Sequence, residues 1–164
     1  MKQIILVLAV GMCCFACISC SFFGSLNTPN YSPSIVDDET RMLQTGDSYF
    51  YKSRSIDSSD EQADCSFTSF SGLETLYVLE CEMCEQITIS INASVDTNRF
   101  KVVLVNHTQQ EVVTLSQGTN QSRKTVSLQA GRFSLKLVGY DATGSATVIL
   151  DVGQGVMVSA RASS

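Results

Sequence analysis

The sequence predicts an all-β protein: an antiparallel β-sandwich of two sheets with about eight strands. Three observations carry this. From Cys65 onward apolar residues alternate with polar ones at a period of two. β-rich runs return roughly every eight to twelve residues, separated by clusters of turn-forming residues. No stretch of any length has a helical period.

The first runs are SFTSF (66–70) and LETLYVLE (73–80), with a turn at 71–73. EQITISINASV (85–95) follows the turn at 81–84. It puts Ile87, Ile89, Ile91, Ala93 and Val95 on one face, and Thr88, Ser90, Asn92 and Ser94 on the other. That is a half-buried strand with one wet face. KVVLVN (101–106) is apolar on both faces, Val102 and Leu104 on one and Val103 and Val105 on the other. Such a strand needs a cover on its second face; the tail at 155–160 and the aromatic segment near residue 50 are the candidates. EVVTLS (111–116) and KTVSLQ (124–129) come next. RFSLKLVGY (132–140) points Phe133, Leu135 and Leu137 inward and leaves Ser134 and Lys136 wet. A turn at 140–145 leads to ATVILDV (146–152). Phe67, Phe100 and Phe133 read as core.

The domain layout follows from what flanks these runs. Residues 1–20 begin with one charge, Lys2, and continue as an uncharged apolar run from Ile4 to Ile18. That run is short of the roughly 20 residues a membrane span takes and has the form of an export signal. Residues 21–63 hold both prolines and many serines, and 37–64 carry eight acids against three bases. This composition predicts a disordered acidic tether. Within it DDETRMLQT (37–45) suits a helical turn, and SYFYKSRSI (48–56) suits an extra strand packed on the domain edge. The sandwich spans 65–152, and 153–164 form a C-terminal tail.

Net charge is −5 with no basic patch, which argues against a nucleic-acid partner. One histidine removes most His-dependent catalytic triads, and no nucleophile, base and oxyanion set is visible. The expectation is a non-enzyme without a cofactor.

Two resemblances add to this reading. Ile18-Ser19-Cys20 resembles the lipobox of bacterial lipoproteins, with Cys17 where that family usually has leucine. It implies lipidation of Cys20, with Cys17 as the alternative. A plain cleaved signal or an uncleaved anchor remains open. VSLQAGRFSLKLVGYDATGSATVIL (126–150) and FSGLETLYVLECEMCEQITISI (70–91) resemble the bacterial pre-peptidase C-terminal type of β-sandwich domain over residues 65–152. Jelly-roll and galactose-binding-like sandwiches share the pattern. The resemblance implies a jelly-roll-like fold that contacts carbohydrate, cell wall or protein. It brings no catalytic residues, and where the family's turn carries glycine this chain has Cys81-Glu82-Met83-Cys84.

The cysteines carry the remaining chemistry. In an oxidising compartment Cys81 and Cys84 are candidates for a disulfide closing their turn, with Cys65 either free or paired with one of them. A redox pair is disfavoured by Glu80, Glu82 and Glu85, since negative neighbours raise a thiol pKa. A zinc site from Cys65, Cys81, Cys84 and His107 has only the Cys81-x-x-Cys84 element local. His107 reads as a solvated turn residue; Asp96, Asn98 and Asp141 read as turn caps. Asn30, Asn92, Asn106 and Asn120 each head a glycosylation sequon.

The functional expectation is a binding module tethered to the outer face of the cell membrane by its N-terminal lipid, or secreted. Its partner would be a cell-wall glycan or a protein. The alternatives are a structural lipoprotein without a small ligand and a thiol-redox protein using Cys81 and Cys84. Surface display of aromatic residues would favour the binding module; a featureless polar face would favour the structural reading.

Overall fold

The structure is a computed structural model that describes residues 30–161. The signal segment, Cys17 and Cys20 lie outside the described residues. Two long antiparallel strands organise the fold: β3 (Gln62–Cys81) and β8 (Gly131–Asp151), paired from Gln62 opposite Ile149 to Cys81 opposite Gly131. The sequence predicts a turn inside each of them, at 71–73 and 140–145, and both strands run straight through. The turn residues bend the strand instead of ending it. Ser69 (φ 51°) and Gly72 (φ 123°) bend β3; Asp141 (φ 47°) and Gly144 (φ 153°) bend β8. The register slips between Phe67 and Phe70 and again between Phe70 and Gly72, as β-bulges require.

Each bent strand therefore contributes to two layers. The first sheet contains β2 (Ser53–Ser58), the start of β3, the end of β8, β4 (Glu85–Val95) and β7 (Asn120–Leu128). The second contains the rest of β3 and β8 with β5 (Phe100–Asn106) and β6 (Glu111–Gln117). β1 (Ser48–Phe50) and β9 (Val156–Ala160) add to the outer edge of β3. The result is an antiparallel all-β sandwich in which the nine strands of the described residues form one continuous hydrogen-bonded sheet folded over on itself. No helix among the described residues is long and apolar enough to cross a membrane.

The main core lies between the layers. Ile87, Ile89, Ile91 and Ala93 from β4 meet Val102, Leu104, Leu135 and Leu137 from the second sheet, as the period of two predicts. At the bend an aromatic cluster fills the space: Phe70 stacks on Tyr51 at 4.6 Å, and Phe67 on Phe100 at 5.2 Å.

The tether expectation is corrected over much of its length. Pro33–Asp37 is a 3-10 turn and α1 (Glu39–Met42) a single helical turn capped by Asp38, whose carboxylate accepts the Arg41 N–H at 3.1 Å. β1 and β2 occupy the segment suited to an extra strand. The acidic composition hides a few well-placed apolar residues. Tyr31, Ile35, Val36 and Met42 form a second buried cluster with Leu73, Val103, Val105 and Val138 on the outer face of the second sheet. This strap is the cover that the two-faced β5 demands. The tail and the aromatic segment, expected in that role, are edge strands.

The strap also explains why Lys136 is not wet, and Ser134 beside it is buried too. Lys136 is fully buried, and its ammonium donates to the Gln44 carbonyl. Burial pulls its pKa down, while Asp47 opposes the shift. Asp47 in turn accepts from the Thr75 hydroxyl at 2.6 Å, and Lys101 bonds Asp37 at 2.6 Å.

One carboxylate sits on the core side. Glu74 accepts from the Tyr51 hydroxyl and pairs with Arg54 at 2.6 Å. Burial raises its pKa above the usual 4.5, against the pull of Tyr51 and Arg54. A carboxyl group with a raised folded-state pKa takes up its proton first in the folded protein. Its contribution to stability is then full below the unfolded value and is lost as pH rises through the folded one. Wild type should therefore gain thermal stability relative to Glu74→Gln as pH falls from 7 toward about 4.5. Melting curves of the two proteins at matched pH check this; a constant gap would disprove it.

Candidate functional site

The two bends stand side by side, with Phe70 opposite Ala142 and Gly72 opposite Gly139. Ser69, Ser71, Tyr140 and Asp141 line a pocket of about 220 Å³ there, completed by Asn30 and Tyr31 from the strap and Phe50 from β1. Ser69 and Asp141 are two of the three non-glycine residues with left-handed backbone among the described residues. Such conformations cost on the order of 1–3 kcal/mol each and gather at functional sites. Cross-links hold them in place. The Asp141 N–H donates to the Ser71 hydroxyl at 2.8 Å, and the Ser69 N–H donates to the Thr143 hydroxyl at 3.1 Å. Asp96 ties the neighbouring turn by accepting the Thr143 N–H at 2.9 Å.

The pocket's aromatic rings are placed by different elements. The Tyr31 hydroxyl bonds that of Ser48 at 2.9 Å, so this ring is fixed between strap and β1. Phe50 is 38% exposed at the end of β1, and Tyr140 is half-buried on β8. Apolar ring faces, two serine hydroxyls and one carboxylate thus converge on a cavity sized for a single ring. It lies below the roughly 300 Å³ at which drug-sized ligand pockets begin.

The wet face of the first sheet is different. Its ladders align Ser55, Ser66, Ser145 and Ser94 in one row, and Asp57, Asp64, Thr147, Asn92 and Gln121 in the next. A trough of about 290 Å³ between β4, β7 and β8 includes Ser90, Asn92, Gln121, Arg123, Thr147 and Ile149. No aromatic side chain lines it.

The three cysteines of the described residues are not joined to one another. Cys65, Cys81 and Cys84 are free thiols. Cys65 and Cys81 lie toward opposite ends of the same 20-residue strand. That is far beyond the Cα separation of about 7 Å that limits a disulfide. Cys81 is buried and donates to the Met83 carbonyl at 2.7 Å, while Cys84 is exposed. Burial, with Glu74 and Asp64 nearby, pushes the Cys65 thiol up to about 12. No His, Cys, Asp and Glu cluster able to hold a metal occurs among the described residues. A thiol reagent at pH 7.5 should therefore label Cys84 rapidly in the native protein and reach Cys65 and Cys81 only on unfolding. Peptide mapping of the labelled sites reads this directly, and rapid native labelling of Cys65 would contradict it.

His107 is half-buried and partnered. Its Nε2 lies 2.8 Å from the Ser134 hydroxyl, and burial, Lys136 and Arg132 lower its pKa. Among the sequons, Asn30, Asn92 and Asn120 are exposed. Asn106 is buried, and its amide oxygen accepts the N–H groups of Thr108 and Gln109 at 3.0 Å.

Sequence reasoning missed the pocket. Asp141 read as a turn cap and Tyr31 as tether. The available signal was the pairing of αL-tolerant residues with adjacent aromatic ones, Tyr140-Asp141 above all.

No family model matches the chain, and no curated protein matches it. Among solved structures it is similar to a family 35 carbohydrate binding module from an environmental isolate. The identity is 17%, the coverage 69% of this chain and 83% of that one, and the TM-score 0.36. An overlap that loose assigns neither family nor ligand.

Proposed function

We propose that this protein is an extracytoplasmic binding module, held at the outer face of a membrane by lipid on Cys20, that takes a glycan at the loop-end pocket. The observation that carries the reading is the aromatic set at the bends, the exposed Phe50 and half-buried Tyr140 with the buried Tyr31 behind them, around Ser69, Ser71 and Asp141. A sugar ring has apolar C–H faces and polar hydroxyl edges, and this set supplies a surface for each. The module has no enzymatic role in this reading. The lipid anchor rests on the leader and its Ile18-Ser19-Cys20 end. Mass spectrometry of the mature N-terminus tests the anchor; an unmodified or uncut chain would remove it.

Phe50→Ala should weaken glycan binding about tenfold, the equivalent of roughly 1.4 kcal/mol, with little change in melting temperature because the ring is half exposed. Affinity electrophoresis against immobilised polysaccharides measures it. Unchanged retardation of the variant would move the site elsewhere.

The second reading, a structural lipoprotein without a small ligand, is favoured by the wet face of the first sheet, whose serine and amide rows offer no aromatic platform. A thiol-redox role for Cys81 and Cys84 finds less support, since β4 follows them where oxidoreductases place a helix. Cys84→Ser with unchanged thiol-exchange activity would remove it.

A further inference from the structure

We infer that the loop-end pocket selects an anionic glycan, one bearing carboxylate or sulfate groups, through Arg41 and Arg99. The inference rests on the glycan reading of the same pocket and narrows its ligand class.

Two of the rings that line the pocket carry a guanidinium. Arg99 lies over Tyr140, with its Cζ 5.6 Å from the ring centroid, and Arg41 lies over Tyr31 at 6.0 Å. Both backbones are anchored. The Arg99 carbonyl accepts the Tyr140 N–H at 3.0 Å, and Arg41 sits in α1 behind its Asp38 cap. A guanidinium resting on an aromatic ring loses little freedom when its N–H fork meets an anion.

Among the described residues neither guanidinium has a hydrogen-bond or ion-pair partner. Among the described residues the ion pairs are Arg54 with Glu74 and Lys101 with Asp37, and the side chains of Arg41 and Arg99 make no hydrogen bond. Arg54 provides an internal comparison. It also lies over two tyrosines, Tyr49 at 5.2 Å and Tyr51 at 5.5 Å, but it is committed to the buried Glu74. An arginine on tyrosine that serves the fold has a carboxylate; the two beside the pocket do not. The nearby Asp38 and Asp96 carboxylates are oriented by backbone groups, Asp38 capping α1 and Asp96 holding the Thr143 N–H, and neither pairs with Arg41 or Arg99 among the described residues. Asp141 is the charged side chain among the lining residues, and the two guanidiniums lie over the pocket's rings outside that lining. Carboxylate and sulfate oxygens match the guanidinium fork in pairs, which neutral hydroxyls do less well.

The test uses the full-length protein and polymers matched in backbone: dextran against dextran sulfate, and methyl-esterified against free polygalacturonate. The expected result is at least about tenfold tighter binding to the charged member of one or both pairs, weakening as NaCl rises from 50 to 500 mM. Which pair responds identifies sulfate or carboxylate as the group. The double variant Arg41→Gln/Arg99→Gln should lose the charge preference and keep its affinity for the neutral polymer. Equal binding to charged and neutral polymers, with Phe50→Ala weakening both, would overturn this inference and leave the glycan site standing. A charge preference that survives in the double variant would also overturn it, by placing the anion elsewhere. Binding to none of the polymers would overturn both readings.

Discussion

Replacing Gly72 with alanine should lower the melting temperature by roughly 10 °C and abolish binding at the pocket. A Cβ on Gly72 would lie 2.1 Å from the Ser48 carbonyl oxygen and 2.6 Å from the Tyr49 Cα. Both contacts are backbone, so no rotamer change relieves them. The residue also sits at φ +123°, which L side chains avoid at a cost of about 1–3 kcal/mol. The chain has one escape, to push β1 off β3. That breaks the pairing of Ser48, Tyr49 and Phe50 with Leu73, Gly72 and Ser71 and carries Phe50 away from the pocket. Strain and lost pairing together come to about 3 kcal/mol or more, a large part of the 5–15 kcal/mol that holds a domain folded. Thermal melting and polysaccharide retardation of Gly72→Ala check both halves. A variant that melts within about 2 °C of wild type would show that β1 is not seated as described.

Phe70→Ala is expected to cost about 3–5 kcal/mol through the cavity it leaves. Phe70 is completely buried at the bend. Its ring stacks on Tyr51, sits 5.6 Å from Phe67 and 6.4 Å from Phe100, and occupies the space a Cβ on Gly139 would need. The surrounding strands are tied by ladders on both sides, so the void has little room to collapse. Urea unfolding should show a lower midpoint with an unchanged slope. A loss under about 1 kcal/mol would mean that the aromatic cluster is not packed at the bend as described.

The legible part of this protein is what each strand states about itself. β4 announces its two faces through Ile87, Ile89 and Ile91 against Thr88, Ser90 and Asn92, and the structure buries the isoleucines. Phe67, Phe100 and Phe133 are core for the same reason. Ser134 and Lys136 have the same alternating signature as Ser90 and Asn92, yet they are buried. The difference lies elsewhere in the chain: Gln44 of the strap, some ninety residues away, meets Lys136, and His107 meets Ser134. A local pattern tells which face a side chain takes and not whether another segment covers that face. The bends misled for a related reason. Ser69, Gly72, Asp141 and Gly144 are residues that turns prefer because they accept positive φ, and a bulged strand needs that same tolerance.

The candidate pocket was hidden because its parts are distant in the chain. Tyr31, Phe50, Ser71 and Asp141 come from four separate elements, and no spacing rule connects them. For the cysteines, proximity in sequence does not by itself supply the geometry of a bond. Cys81 and Cys84 share a turn, but Cys81 turns its thiol to the Met83 carbonyl while Cys84 faces solvent.

By itself the sequence determined the class of this protein, an antiparallel β-sandwich, because burial on alternate residues is a property of each strand taken alone. Only the tertiary structure decided where the domain begins, which outer face is covered and where the aromatic pocket forms. Those depend on the strap and β1 meeting the bends of β3 and β8, and contact between remote segments is selected by packing that no single stretch of chain encodes.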